Sequence, residues 1–367
     1  LVVIEDGKVV AEKSILTEEV AGNPEILVDS IVSMGEVDLI AGPSGYGVPV
    51  TFNHEIADAR RFAVEVLLLS SEEAIAEGVR RGVGGIYVYD ALARVVEELW
   101  HRRLPVCYIP SVILLPTVPA HRKINKVDMG TADKMSIAVL EVARRFLWEG
   151  KDIEKISFIL VEMGYGYNAV IAVNKGKIVD GVGGTLIGPG FLTIGPIDAE
   201  VAQLVRNWNR EDVFYGGVST ICGTDDPERA LNSSETLCKD AFEAMFESVV
   251  KAVASMLTIV NVDEVLLSGR LSRIPAIRRS IAERLELLAD VGCLPGIPGA
   301  ELSKEAAQGY AVVADGIAGG VYRDVVEYIG ILKAHGTVVD NLYHPKALKV
   351  KSRVQRAYIE SVKNPKL

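Results

Sequence analysis

Two hairpin-like segments of the sequence resemble each other, and this internal repeat constrains the fold more than any other feature. The first covers residues 2–11 and has two short apolar stretches on either side of Asp6-Gly7. The second covers residues 170–180 and has the same arrangement around Gly176, 169 positions after Gly7. Glycine permits the positive φ that a tight hairpin turn requires. The similarity predicts a duplication, with chance resemblance between two hairpins as the alternative.

The second hairpin is preceded by a distinctive segment. The apolar stretch 157–161 leads into Glu162 and the glycine-rich turn 164–166. A duplicated protein would carry a comparable segment ahead of the first hairpin. We therefore expect an acidic strand and a glycine-rich turn upstream of Leu1.

The rest of the sequence alternates between strand-like and helix-like patterns. Strands are predicted at 37–41, 85–89, 105–115 and 263–267, and helices at 72–81, 91–101, 131–150, 235–260, 274–288 and 305–328. Such alternation is typical of a mostly parallel sheet that is covered by helices on both faces. Together with the repeat, it predicts an α/β protein with two related domains that face a cleft.

Composition excludes several classes of protein. The chain of 367 residues has a formal net charge of −10, which disfavours nonspecific binding to the phosphate backbone of nucleic acid. Its longest apolar stretch, 106–118, is interrupted by Pro110 and Pro116, so no membrane span is expected. The four cysteines are far apart and form no C-x-x-C pair, which argues against a zinc knuckle, an iron–sulfur cluster or a disulfide framework. A cytoplasmic protein in a reducing compartment is predicted.

Glycine-rich turns on both sides of the second hairpin are candidates for phosphate binding. Backbone amides of such turns can approach phosphate oxygens closely, and a nearby carboxylate can hold Mg²⁺. The alternative is that these glycines only shape the hairpin. The candidate phosphate-binding residues are Gly164, Gly166, Gly183, Gly184 and Thr185, with Glu162 as the candidate metal ligand.

A second candidate region is the predicted strand, loop and helix at 262–275. The turn Ser268-Gly269-Arg270 precedes a helix that opens at Pro275. This arrangement places backbone amides at the carboxyl edge of a sheet, where α/β proteins bind ligands. Arg270 would lie against an adenosine, or alternatively would pair with a surface carboxylate. The sequence lacks G-x-x-x-x-G-K-[ST], so it is not a P-loop ATPase.

The most polar stretch of the chain, 119–134, is the third candidate region. Arg122 or Lys123 would neutralise a transferring phosphoryl group, while Asp128 or Asp133 would orient the acceptor or a metal ion. The alternative is a solvated loop with a helix N-cap. The five histidines have no H-x-x-x-H spacing, which makes a histidine metal centre improbable.

The order of these loops resembles that of a known group of kinases. Residues 161–190 are similar to the phosphate-binding hairpin of acetate and butyrate kinases, and 262–275 stands where that group has its adenosine loop. The whole chain resembles a mainly archaeal family labelled a predicted butyrate kinase, the DUF1464 domain. The resemblance implies two ribonuclease-H-like domains of the actin-like ATPase type, with ATP and Mg²⁺ in the cleft. It also implies a small carboxylate as acceptor, near Gly42, Ser44 and Tyr46.

The resemblance has one departure that bears on function. Acetate kinases have a histidine before Gly-Thr, where this sequence has Met129. The resemblance implies an ATP-dependent kinase that phosphorylates a short-chain carboxylate. Because of Met129, the alternative is a nucleotide-binding conformational or partner-binding protein of the same fold with weak or no kinase activity.

The predicted domains are 1–126 and 127–328. The segment 329–367 is expected to pack back on the first domain. The predicted partner is a small-molecule acceptor, without nucleic acid or membrane, and a homodimer is possible because long helices of the second domain can pair two subunits.

Overall fold

The computed structural model describes residues 1–82, 84–262 and 264–367. Asp263, predicted as the first residue of a strand, lies outside the described residues. The strands are β1 Val2–Glu5, β2 Lys8–Glu12, β3 Ile40–Ala41, β4 Thr51–Phe52, β5 Val106–Tyr108, β6 Phe158–Met163, β7 Asn168–Asn174, β8 Lys177–Val182, β9 Glu264–Ser268 and β10 Asp290–Cys293. The α-helices are α1 Thr17–Gly22, α2 Glu25–Ser33, α3 Ala59–Arg61, α4 Glu72–Arg80, α5 Gly84–His101, α6 Ala120–Lys123, α7 Ala132–Leu147, α8 Ala199–Val205, α9 Val218–Cys222, α10 Pro227–Leu231, α11 Thr236–Leu257, α12 Pro275–Leu285, α13 Glu305–Ala318, α14 Arg323–Ile329 and α15 Leu348–Ser361.

The largest sheet has five strands in the order β10-β9-β6-β7-β8. Strands β10, β9 and β6 are parallel, whereas β6, β7 and β8 form an antiparallel meander. The expectation of a mostly parallel sheet is therefore wrong for this half of the molecule. The hairpin predicted from the repeat is itself antiparallel, so the sheet that contains it has to be mixed.

The two hairpins pair their strands in the same register. Ile4 lies opposite Val9, and Val173 lies opposite Ile178, 169 positions later in both strands. Each hairpin has an irregularity immediately before that pair. Each turn also has a non-glycine residue with positive φ followed by a glycine, at Asp6-Gly7 and at Lys175-Gly176. The repeat predicted from the sequence is thus confirmed pair by pair.

The first half contains two smaller sheets. Strands β1 and β2 form one sheet, and the other has the order β3-β5-β4. Strands β3 and β5 are parallel, as β9 and β10 are in the second half. The predicted strands at 37–41 and 105–115 are much shorter than expected. The second of them ends at Tyr108, before Pro110, which cannot donate to a strand ladder.

Two predicted elements have different structures. Residues 85–89 were expected to be extended but lie within α5, because the amphipathic pattern of 91–101 continues towards the amino end. The single helix predicted at 305–328 is divided into α13 and α14. Helix α13 ends because its C-cap residue, Gly319, adopts the left-handed conformation with φ +92°.

Both faces of the five-stranded sheet are covered, because successive strand residues point to opposite sides. Ile159 and Val161 pack in one cluster with residues of α11 and α12. Phe158 and Leu160 pack on the other face, in a cluster that includes residues of α7 and α13. Helices α7 and α13 therefore form the layer on the face opposite α11 and α12.

The carboxyl-terminal segment lies against the first half of the chain. Tyr358 of α15 is fully buried in a cluster with Phe62. Val362 forms an isolated β-bridge with Ile56, and the amide of Ala57 donates to the carbonyl of Ser361 at 2.8 Å. The chain thus returns to residues 56–62 after completing the second half.

A disulfide joins Cys222, at the end of α9, to Cys238 in α11, with a Cα–Cα distance of 5.0 Å. The expectation that the cysteines form no disulfide is therefore wrong. The two cysteines are 16 residues apart, a spacing that does not itself indicate a disulfide. They meet because the chain between them folds back through the short helix α10. Among the described helices, none is both long and apolar enough to cross a bilayer.

Helices α7 and α13 cross so closely that only glycine fits at the contact. A Cβ atom added to Gly309 would lie 2.3 Å from the carbonyl oxygen of Ser136. We expect Gly309→Ala to lower the free energy of unfolding by about 1–3 kcal/mol, although alanine favours helices by about 1 kcal/mol. Urea unfolding checks this.

The matched control is Gly22→Ala, because a Cβ atom at Gly22 would meet nothing within 4 Å. This control should be neutral or slightly stabilising. If Gly309→Ala unfolds at the same urea concentration as Gly22→Ala, the close crossing of α7 and α13 does not constrain the fold.

Candidate functional site

Two of the predicted loops meet at the carboxyl ends of β6 and β9. Glu162 is paired with Ser268 in the sheet register. A Cβ atom built on Gly269 would lie 2.7 Å from Oε1 of Glu162, and one built on Gly164 would lie 3.3 Å from the same oxygen. The glycine-rich turn after β6 and the Ser268-Gly269 turn therefore share one crevice.

The turn after β8 faces the segment before α7. A Cβ atom on Gly184 would lie 2.7 Å from Oδ2 of Asp128, and one on Gly183 would lie 3.0 Å from Oδ1. The same Oδ1 accepts a hydrogen bond from the amide of Gly130 at 2.8 Å. Thr185 follows in a short 3-10 turn. This predicted phosphate turn is thus in contact with Asp128.

The turn 164–166 is held from outside the hairpin. The amide of Gly164 donates to the carbonyl of Tyr167 at 3.0 Å. The carbonyl of Gly166 accepts from the hydroxyl of Thr193 at 2.8 Å and from its amide at 3.3 Å. The backbone of this turn is therefore fixed without a ligand.

Lys134, in the first turn of α7, carries the central charge of the site. Its Nζ lies 2.6 Å from Oδ2 of Asp133 and 3.6 Å from Oε2 of Glu162, and its side chain is 17% exposed. Asp133 also accepts a hydrogen bond from the hydroxyl of Thr131. One ammonium group thus joins the start of α7 to the end of β6.

The burial of this cluster changes the ionisation of its members. Burial raises the pKa of Glu162 to about 7, although Lys134 attracts the ionised form. Burial also opposes the charge of Asp133, but the charge and hydrogen bond of Lys134 hold the pKa of that carboxyl below its usual value. Burial alone would lower the pKa of Lys134, yet its two carboxylate neighbours raise it.

Several buried polar atoms at the ends of β6, β7 and β9 have no hydrogen-bond partner within the described part of the chain. They are Oε2 of Glu162, both side-chain heteroatoms of Asn168 and Oγ of Ser268. Asn168 is opposite Met163 at the start of β7, and Ser268 is opposite Glu162. Buried polar groups are usually satisfied, by protein or by ligand and water. Glu162 and Ser268 point to the same face of the sheet, so their unpaired oxygens mark a place where a polar ligand fits, whereas Asn168 points to the opposite face with Met163.

A cavity of about 1120 Å³ opens beside this cluster. Asp128, Thr131, Asp133 and Lys134 line it, and so does the predicted acceptor loop with Gly42, Ser44 and Tyr46.

The acceptor loop is fixed by its own hydrogen bonds. The hydroxyl of Ser44 donates to the carbonyl of Gly42 at 2.8 Å and accepts from the amide of Ile109 at 2.9 Å. The carbonyl of Gly45 accepts from the amide of Ala132 at 3.2 Å, which joins this loop to the start of α7.

Arg122 and Lys123 are placed differently from the other candidates. Arg122 donates to the carbonyl of Val179 at 2.8 Å, and its Nε lies 3.7 Å from Asp180. Lys123 donates to the carbonyl of Leu115 at 2.9 Å, and burial lowers its pKa. Neither residue is among those that line the cavity. Both cations therefore donate hydrogen bonds to backbone carbonyls, whereas Lys134 lies beside Glu162, next to the glycine-rich turn.

Arg270 lies on the surface above the turn after β6. Its guanidinium carbon is 4.4 Å from the ring centroid of Tyr165, whose hydroxyl donates to the carbonyl of Asp225 at 2.5 Å. Stacking on Tyr165 is a third arrangement beside a surface ion pair, and it leaves the prediction of an adenosine contact open. It places a flat cationic surface beside Gly269, where a planar base could stack.

The described residues include no group of three or more His, Cys, Asp or Glu side chains that could hold a metal ion. An all-protein metal site is thus not supported there. Mg²⁺ often binds through one or two carboxylates, with phosphate oxygens and water completing the shell. Glu162, with an oxygen that accepts no hydrogen bond, fits a magnesium ion that arrives with phosphates.

Comparison with solved structures finds a similar fold, of the actin-like ATPase type, in proteins that are named as kinases. A propionate kinase from Francisella tularensis subsp. tularensis SCHU S4 has a TM-score of 0.52 at 16% identity, covering 78% of this chain and 82% of that chain. An acetate kinase from Porphyromonas gingivalis has a TM-score of 0.48 at 14% identity, covering 78% and 82%. At these identities the likeness concerns the fold.

The family of the chain is shown by its sequence. Residues 1–344 match the family described as "Protein of unknown function (DUF1464)", and the chain belongs to this family. No curated protein matches the sequence.

Two residues of the site, Lys134 and Tyr310, were not among the predicted site residues. Lys134 belongs to the polar stretch 119–134, in which Arg122 and Lys123 are the denser pair of cations. Tyr310 lines the cavity from α13, and burial raises its pKa. Nothing in the sequence around Tyr310 indicated that α13 reaches the site.

The raised pKa of Glu162 predicts a pH dependence of stability. The folded protein binds a proton that the unfolded chain releases near pH 4.5, so stability should fall as the pH rises from about 4.5 to about 7. Glu162→Gln should remove this fall, which amounts to about 3 kcal/mol at 1.36 kcal/mol per pKa unit. Urea unfolding at pH 5 and pH 8 measures the difference.

The control is Glu301→Gln, which removes one exposed carboxylate and so reproduces the change in net charge. An equal decrease in stability between the two pH values in wild type and Glu162→Gln would show that Glu162 is not the group responsible.

Proposed function

We propose that this protein is an ATP-dependent kinase that transfers a phosphoryl group to a small carboxylate. The observation that carries the proposal is the buried ammonium group of Lys134. It lies beside Glu162 at the end of β6 and, with Asp128 and Gly184, lines the same cavity. A fixed cation at the junction of glycine-rich turns is suited to the charge of a transferring phosphoryl group.

The binding of the nucleotide is assigned to the second half of the chain. The turns at 164–167 and 183–185 would hold the phosphates through backbone amides, as glycine-rich turns can. Ser268 and Gly269 would face the nucleoside, with Arg270 stacked at its edge. Mg²⁺ would neutralise phosphate charge when bound, with Glu162 as its protein ligand.

The acceptor is assigned to the cavity between Lys134 and the loop 42–46. A carboxylate attacks the terminal phosphorus with an oxygen that is already anionic, and the bond from that phosphorus to the bridging oxygen of ADP breaks. No proton has to be removed from such an acceptor. This suits Asp133, which is held by Lys134 and Thr131 and is therefore a poor general base. The similarity in fold to a propionate kinase agrees with an acceptor of this class.

One observation favours a second candidate function. Met129, in place of the histidine that acetate kinases carry, is fully buried in the core and does not present a hydrogen-bond donor to the cleft. A nucleotide-binding conformational protein with little transfer activity would tolerate this. Calorimetry of ATP binding, combined with an assay of acceptor-dependent ADP formation, separates the two: binding without acceptor-dependent ADP favours the second function.

The role of Lys134 predicts a large effect on turnover. With acetate, propionate or butyrate as acceptor, Lys134→Met should lower the rate of ADP formation by about 100-fold or more. Lys134→Arg keeps the charge that balances Asp133 and Glu162 and should retain more activity. Near-UV circular dichroism checks that each variant is folded.

Matched controls are Lys123→Met and Arg122→Ala, which remove cations that bond to backbone carbonyls outside the cavity. Both should keep turnover within about tenfold of wild type and act mainly on stability. Loss of turnover in Arg122→Ala with retained activity in Lys134→Met would reverse the assignment. It would restore the expectation that Arg122 neutralises the transferring group.

A further inference from the structure

The strap, residues 190–217, lies between the turn after β8 and α9 and packs against the glycine-rich turn 164–167. A Cβ atom built on Gly190 would lie 2.2 Å from the carbonyl oxygen of Gly166. The hydroxyl of Thr193, a fully buried residue, donates to the same oxygen at 2.8 Å. The strap therefore begins in direct contact with the backbone of the turn.

The far part of the strap folds back on its start. The amide of Ile194 donates to the carbonyl of Val213 at 3.1 Å. Val213 belongs to a 3-10 turn over Arg210–Phe214. Because Ile194 follows Thr193 directly, this 3-10 turn is linked to the residue that holds the carbonyl of Gly166.

Phe214, at the end of the 3-10 turn, contacts aromatic residues from both halves of the chain. It meets Tyr167 of the glycine-rich turn edge to face, with 6.1 Å between the ring centroids. It meets Tyr89 of α5 in the same way, with centroids 6.4 Å apart. A Cβ atom on Gly85 of α5 would lie 3.0 Å from the ring of Phe214. Because Tyr89 and Tyr167 both line the cavity, one phenylalanine joins two parts of its wall.

An ion pair adds a second connection between the strap and the first half. Arg81 is the C-cap residue of α4, and its Nη1 lies 2.7 Å from Oε1 of Glu211 in the strap. The side chain of Glu211 is 8% exposed, whereas that of Arg81 is 49% exposed. A carboxylate buried to this extent is costly without a compensating partner. Within the described part of the chain, Arg81 is the cation that compensates Glu211.

We propose that Phe214, Glu211 and Arg81 form a clasp through which the first half of the chain holds the glycine-rich turn 164–167 in position. The turn needs such support because its glycines leave the backbone with few intrinsic restraints. The strap restrains the turn, and α4 and α5 anchor the strap. The importance of the clasp for ligand binding rests on the proposed function, which assigns phosphate binding to this turn. The three clasp residues are therefore positioning residues.

Hydrogen exchange in the absence of any ligand tests whether the clasp holds the turn. The informative amide is that of Thr193, which donates to the carbonyl of Gly166. Arg81→Met and Phe214→Leu should each speed its exchange at least about fivefold by NMR, while the amides of β9 stay unchanged. Unchanged exchange at Thr193 in both variants would overturn the proposal.

The matched controls are Arg80→Met and Tyr215→Ala. Arg80 precedes Arg81 and has a side chain that is 73% exposed, and Tyr215 follows Phe214 and is 55% exposed. These controls remove the same charge and a neighbouring aromatic ring without touching the clasp. Exchange at Thr193 should therefore stay within about twofold of wild type. Equal acceleration in the controls and the clasp variants would count against the clasp.

Calorimetry with ATP and with adenosine separates a positioning role from a general structural one. The clasp variants should weaken ATP binding by about fivefold or more, because they loosen the turn assigned to the phosphates. Adenosine binding at 268–270 should stay unchanged. Equal weakening of both ligands would show a general structural role and overturn the proposal. Near-UV circular dichroism checks that each variant is folded.

The two measurements keep the clasp and the proposed function apart. If the wild-type protein binds neither ATP nor adenosine, the proposed function fails. The exchange comparison involves no nucleotide, so it still decides whether the clasp holds the turn.

Discussion

The ion pairs of Lys134 are the interaction on which the arrangement of the site depends. Placing an ammonium group in a largely buried position is costly unless carboxylates and hydrogen bonds compensate it. Asp133 and Glu162 supply that compensation from two different elements, the first turn of α7 and the end of β6. Removing Asp133, the nearer of the two and the one whose pKa is lowered, would leave the charge of Lys134 without its main partner. The position of α7 relative to the five-stranded sheet is therefore fixed by charge as well as by packing.

Glycines allow the surrounding loops to come close enough for this cluster to form. A Cβ atom at Gly181 would lie 2.0 Å from the carbonyl of Met129, and one at Gly45 would lie 2.3 Å from the carbonyl of Leu67. In both places the backbone of one segment rests directly on the backbone of another. The contacts place 128–131 against β8 and the loop 42–46 against the segment that ends at Leu67. The site is thus assembled by main-chain contacts, which leave its few polar side chains available for ligands.

The sequence predicted the features that rest on local patterns. The repeated hairpin turns, the glycine-rich turns on both sides of β7-β8 and the loop at 268–270 follow from glycine positions and apolar runs. Two failures are local, the helical 85–89 and the helix end at Gly319, and the others concern contacts between distant segments. Arg122 and Lys134 are both cations of the polar stretch 119–134, and the sequence does not distinguish their roles. Only the fold directs Arg122 to the carbonyl of Val179 and Lys134 to Glu162. The disulfide and the approach of Tyr310 depend on tertiary packing in the same way.

The bridge between Cys222 and Cys238 closes a loop that contains α10 and the start of α11. Such a bond restricts the unfolded chain, and a loop of this length corresponds to about 3 kcal/mol in the chain-entropy treatment. Helix α11 also forms part of the layer that covers β6, β7 and β9. Reduction of the bond would therefore free α9 and α10 from the first turn of α11, whereas the apolar residues of α11 further along would still hold that helix on the sheet.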